Sequence, residues 1–122
     1  MTLTREEILR RNPGPELDAL VAKHVMGWTT GESWGGIYWV DLDKCNRYEK
    51  TVFKPSRYIN IAWEVESIFD QDTPLREDYA IELHNVMGLM LHEPTTLNNI
   101  YQFAHATPEQ RCKAALLAVL NL

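Results

Sequence analysis

The sequence predicts an α+β domain: a short antiparallel β-sheet of about four strands with helices packed on it in an α-β-α sandwich. Three observations lead there. Apolar residues recur at helical spacing from Pro15 to Val25, from Arg57 to Phe69 and from Pro108 to near the carboxyl terminus. The stretches between hold short runs of aromatic and branched residues at strand-like lengths. Finally, 122 residues with 45% hydrophobic and 24% charged content suit one domain spanning residues 1–122, with enough chain to bury a core.

The elements follow in order. Thr4 to Glu7 has the Thr-x-x-Glu spacing of a capping box, which predicts a short helix from Arg5 to about Arg10, broken by Asn12-Pro13-Gly14-Pro15. From Pro15, Leu17, Leu20, Val21 and Val25 form one apolar stripe, and Gly27 is placed to end it. A second long helix is expected over Arg57 to Phe69, with Tyr58, Ile61, Ala62, Val65, Ile68 and Phe69 on one face, Ser56 as its cap and Asp70 to Pro74 as its stop. The last helix begins at Pro108 behind Thr107, with Gln110 completing a second capping box and Cys112, Ala115, Leu116, Val119 and Leu120 on its stripe.

Four runs predict strands: Ile37 to Leu42, Tyr79 to His84, Met87 to Leu91 and Ile100 to His105. Tyr79, Ile81 and Leu83 alternate with Ala80, Glu82 and His84, the pattern of a strand with one wetter face, and Asn85 to Gly88 is the expected turn into the next. In the first run Trp39 alternates with Tyr38, so one faces inward and the other outward.

Charge is unevenly distributed. The whole chain carries −5, yet Lys44 to Arg57 holds Lys44, Arg47, Lys50, Lys54 and Arg57 against Glu49 alone, five cations less one acid, or +4. Tyr48, Phe53 and Tyr58 lie in or beside this segment, and Trp28, Trp34 and Trp39 lie just upstream. Cations beside aromatic faces suit a ligand with a phosphate and a ring. The acidic balance argues against binding duplex nucleic acid. The amino-terminal residues lack a signal-peptide core and no run approaches the roughly 20 apolar residues of a bilayer span, so a cytoplasmic setting without a membrane is expected. Cys45 and Cys112 are far apart in unlike contexts and predict no disulfide.

Catalytic chemistry finds little support. His24, His84, His92 and His105 lack the spacing of a zinc site, and His24 falls within a helical stripe where a partly buried core role is the plainer expectation; a hairpin could bring His84 and His92 together, but solvated strand positions are the plainer expectation for both. His105-Ala106-Thr107 matches the H-x-T element of two-histidine phosphoesterases, but the base and acid of that chemistry need a second copy, which the sequence lacks. The phosphate cradle, dinucleotide fingerprint and nucleophile elbow are also missing. Glu64 and Glu66 point to different sides of their helix. No metal, cofactor or enzymatic activity is expected.

Three blocks carry a family likeness: Gly14-Pro-Glu-Leu-Asp-Ala-Leu-Val-Ala-Lys-His-Val-Met-Gly-Trp28, Ile61-Ala-Trp-Glu-Val-Glu66, and Ala104-His-Ala-Thr-Pro-Glu-Gln-Arg-Cys-Lys-Ala-Ala-Leu-Leu-Ala-Val119. In this order the chain resembles the phage ABA sandwich domain, a family of small phage and prophage proteins. The resemblance implies helices on both faces of an antiparallel sheet, a phage origin and a bacterial host cytoplasm, and it implies no enzyme. Ser56-Arg57-Tyr58-Ile59-Asn60 departs from the family's more usual Ser-Thr-Asp-Ile, and the loop from Thr29 to Pro55 is this chain's own. That loop is therefore the expected seat of a function peculiar to this protein.

The leading expectation is a non-enzymatic binding protein that captures an anionic, nucleotide-like ligand, such as a host immune signalling nucleotide, through Trp34, Trp39, Arg47, Lys54, Ser56, Arg57 and Tyr58. Lys54, Ser56 and Arg57 would stand at a helix amino terminus, where free N–H groups favour anions. The alternative is a module that docks on a host protein, with the aromatic loop as its anchor. The apolar run Val86 to Leu91 is the candidate interface for a homo-oligomer.

Overall fold

The computed structural model describes residues 3–33, 35–71, 73–89 and 97–122. Helix α1 (Arg5–Arg10) starts where expected, with Thr4 Oγ1 accepting a hydrogen bond from the Glu7 amide at 3.2 Å. Helix α2 (Pro15–Leu20) has proline at its first position and runs on into a π-helical turn, Val21–Val25. Gly27 stops it with φ +72, a left-handed conformation that disfavours a side chain. The Trp28 amide then reaches back to the Ala22 carbonyl at 2.9 Å, which turns the indole into the core.

Strands β1 (Thr29–Ser33), β2 (Gly36–Val40) and β3 (Asn46–Glu49) form an antiparallel sheet in chain order. Among the described residues the sheet has three strands rather than four, and two of these arise from the segment expected to be loop. Trp39 opposes Tyr48 in the β2–β3 register, so the two-residue period puts both on one face. Trp39 is buried and Tyr38 only half-buried, as the alternation required. Trp28, Tyr48 and Phe53 meet with ring centroids 5.1–6.2 Å apart and pin the sheet to the helices.

Helix α3 (Ile59–Glu66) continues as a 3-10 turn, Ser67–Gln71. It begins two residues later than predicted, at Ile59, behind Tyr58 as N-cap, whose side chain makes no capping bond. Ser56 is not the cap: its hydroxyl accepts from the Gly14 amide at 3.0 Å instead. Helix α4 (Thr73–Val86) overturns the strand expected at Tyr79 to His84. Tyr79 and Leu83, four apart, are buried, whereas Ile81 between them is exposed, so the buried set follows helical spacing. Pro74 opens this helix rather than merely ending the previous one. Helix α5 (Leu97–Ala104) replaces the strand expected at Ile100 to His105. Of the run Met87 to Leu91, Met87 and Gly88 form a turn after α4, and Met90 and Leu91 lie outside the described residues.

Helix α6 (Pro108–Leu120) has the full capping box: Thr107 Oγ1 accepts from the Gln110 amide at 3.1 Å, and Gln110 Oε1 accepts from the Thr107 amide at 2.9 Å. It is the central helix, touching α1, α2, the π-helical turn, α3 and α4, and everything from Arg111 to Ala118 is buried. A helix covered all round must pair its polar groups. Arg111 does so through Glu66 and the carbonyls of Ala104 and Ala106, and Lys113 through the Leu9 carbonyl at 2.8 Å and Glu109 at 3.3 Å. Tyr79 also donates to Glu66, and burial followed by that carboxylate raises its pKa.

Candidate functional site

The basic segment folds along the sheet and back towards α2. Lys50 follows β3, its amide bonded to the Ile37 carbonyl at 2.9 Å, which extends the ladder and puts it on the Trp39 and Tyr48 face. Its ammonium lies 5.7 Å from the Trp39 ring centroid, a cation–π contact. A turn then closes at Lys54, whose carbonyl accepts from the Arg57 and Tyr58 amides at 3.1 and 3.0 Å. This brings the end of the segment against α2.

Between these elements lies a cleft of about 320 Å³, lined by Pro15, Asp18, Ala19, Trp39, Lys50, Thr51, Phe53, Lys54 and Arg57. Three cations against one carboxylate leave it a formal charge of +2, in a chain of −5. Pro15, Ala19, Trp39 and Phe53 supply an apolar wall. Asp18, only 3% exposed, is the anchor: Oδ1 accepts from the Ser56 amide at 2.8 Å and Oδ2 from Arg57 Nη2 at 3.0 Å. Together with the bond from Gly14 to Ser56, these contacts tie α2 to the Lys54–Arg57 turn.

The seven expected site residues therefore separate. Trp39, Lys54 and Arg57 meet in the cleft. Trp39 is 1% exposed, so its ring is a wall and not a free stacking platform. Ser56 is buried behind the cleft as a structural bridge, and Tyr58, half exposed at the start of α3, is not among the lining residues. Trp34 lies outside the described residues. Arg47 goes elsewhere: its Nε donates to Asp41 Oδ2 at 2.6 Å in a second cleft, of about 510 Å³, with Met26, Trp28, Tyr48, Glu64, Ser67 and Ile68. There the Cys45 amide, with Arg47 and the Asp43 amide adding, holds the Asp41 carboxyl below the usual range.

Lys50 and Asp18 were the missed members. Lys50 stands two residues after Tyr48, a spacing that puts it beside the inner aromatic face once β3 is recognised. Asp18 stands three and four residues before the apolar Val21 and Ala22, on the inward side of its helix, and a buried acid needs partners.

In the second cleft the Tyr48 hydroxyl donates to Glu64 Oε2 at 2.6 Å, and loss of water around the phenol, then the Glu64 charge, push its pKa up to about 12. The folded-state value lies above the ordinary 10, so the neutral phenol favours the folded chain below pH 10, and that contribution is lost as pH rises from 10 to about 12. The ultraviolet titration difference between wild type and Tyr48→Phe should have its midpoint near pH 12, and Glu64→Gln, which removes the charge but leaves the burial, should lower it in part. A wild-type midpoint at 10 would contradict the contact.

The histidine expectations also change. His24 is exposed rather than part of the core. His84 is on α4, with Nδ1 3.1 Å from the Ala80 carbonyl, and not on a hairpin; His92 lies outside the described residues. Among the described residues no group of three or more His, Cys, Asp or Glu is placed to hold a metal ion, and no helix is long and apolar enough to cross a membrane. Cys45 is exposed and Cys112 buried, both free; burial pushes the Cys112 thiol pKa up, with the Asp18 and Glu109 charges adding.

Comparison with known proteins adds one match. The family model described as the phage ABA sandwich domain covers residues 19–116, from the middle of α2 to within α6. No curated protein and no solved structure matches the chain.

Proposed function

The chain belongs to the phage ABA sandwich domain family, and from that premise we propose that it is a non-enzymatic binding domain whose basic cleft captures a small anionic, nucleotide-like ligand. The observation that carries this reading is the meeting of Lys50, Lys54 and Arg57 in one concavity with an apolar wall, on a chain of net charge −5. Charge-assisted bonds from these three would hold a phosphate, and the wall formed by Pro15, Ala19 and Phe53 would cover a ring. Its volume of about 320 Å³ is at the low end of the roughly 300–1,000 Å³ typical of ligand pockets, which favours a mononucleotide-sized ligand. In a phage protein, tight capture without turnover would withdraw a host signalling nucleotide from solution.

Thermal unfolding against a panel of nucleoside monophosphates, cyclic dinucleotides, ADP-ribose and inorganic phosphate tests this. A true ligand at a hundred times its Kd should stabilise the fold by about 2.7 kcal/mol. No stabilisation by any phosphate compound would count against the reading.

A second reading, docking on a host protein, is supported by Trp63, 54% exposed on α3, and Tyr58, 52% exposed at its start. Exposed aromatics of this kind commonly anchor protein interfaces. A host protein retained by wild type and by Lys54→Glu, but lost with Trp63→Ala, would favour it.

A further inference from the structure

Asp18 is an odd lining residue for a site meant for anions. It places a buried negative charge among three cations, with both oxygens used: one holds the Ser56 amide and the other Arg57. A carboxylate offers about four acceptor positions, and among the described residues these two bonds fill two of them. The remaining capacity belongs to a residue that lines the cleft.

Each class of ligand group meets this acceptor differently. An oxyanion placed against Asp18 finds only like charge and lone pairs. An ammonium would suit Asp18 but enters a cleft whose formal charge is +2, among Lys50, Lys54 and Arg57. A neutral hydroxyl satisfies both constraints, donating to the carboxylate without adding charge while a phosphate on the same molecule takes the cations.

We propose that Asp18 is a specificity-determining residue of this cleft, accepting a hydrogen bond from a hydroxyl of the ligand, so that the ligand class is a phosphomonoester of a polyol, such as a ribonucleotide, and not free phosphate. The inference rests on the cleft being the ligand site. In that arrangement Asp18 has two roles: it orients the Arg57 guanidinium, and it selects for a sugar hydroxyl beside the phosphate.

The test is calorimetric titration of the full chain with adenosine 5′-monophosphate, its 2′,3′-dideoxy analogue and inorganic phosphate. Wild type should bind the ribonucleotide roughly tenfold to a hundredfold more tightly than the dideoxy analogue, the worth of one hydrogen bond to a charged group. In Asp18→Asn the gap should narrow and inorganic phosphate should bind more tightly, because the side-chain oxygen can still accept from Ser56 while the negative charge is gone. Equal affinity of wild type for the two nucleotides would overturn the role of Asp18 and leave the cleft reading standing; binding of none of the three would overturn both. The comparison in wild type decides the matter even if Asp18→Asn does not fold.

Discussion

Glu66→Ala is expected to lower the unfolding free energy by about 3–5 kcal/mol, the usual cost of leaving a buried charge without its partner. The Arg111 side chain is 7% exposed and pairs with Glu66, itself 31% exposed, while its other N–H groups reach the carbonyls of Ala106 and Ala104, each at 3.2 Å. Those carbonyls remain in the variant, but they carry no countercharge. Tyr79 loses its acceptor as well, in the stack it makes with Phe69 at a centroid distance of 4.6 Å. Since Glu66 is on α3, Tyr79 on α4 and Arg111 on α6, one substitution loosens three helices. Denaturant unfolding measures the loss; Glu66→Gln, which keeps an acceptor of the same shape, should cost less. A change below about 1 kcal/mol in Glu66→Ala, the range of an exposed ion pair, would mean that water reaches the network.

Reversing charge at Lys50 and Lys54 together, as the double variant Lys50→Glu and Lys54→Glu, is expected to weaken binding of a nucleoside monophosphate by about a hundredfold or more, since each charge-assisted bond contributes roughly 1.5–3 kcal/mol. Lys50 is exposed and Lys54 half-buried at the cleft, so the fold should lose little stability. Arg47→Glu is the control. It lies in the basic segment but lines the other cleft, where it is committed to Asp41, so its reversal should have a much smaller effect. Equal losses from both changes would mean that the long-range field of the segment matters and not the cleft.

The contrast between these residues shows what the chain reveals before it is folded. Helices α1 and α6 were legible because Thr4 and Thr107 announce them through local hydrogen bonds that survive in the structure. Helix α4 was not, because the alternation of Tyr79, Ile81 and Leu83 also contains a pair four apart, and only burial shows that Tyr79 and Leu83 point inward together. Strands β1 and β3 were hidden in polar and glycine-bearing sequence, Thr-Thr-Gly-Glu-Ser and Asn-Arg-Tyr-Glu, whose pairing comes from the neighbouring β2 and not from their own propensity. At the site, the basic segment was visible as charge, but which of its cations converge was not. That depends on the turn at Lys54, on β3 placing Lys50 towards Trp39, and on Asp18, 39 residues before Arg57, holding the guanidinium.

The most direct test is amide chemical-shift mapping of the isotope-labelled protein during titration with a nucleoside monophosphate. Saturable changes concentrated at Glu16–Ala19, Lys50–Lys54 and Ser56–Arg57, with Asp41, Arg47 and Glu64 little affected, are the predicted result. No saturable change, or changes centred on Arg47 and Tyr48, would contradict it.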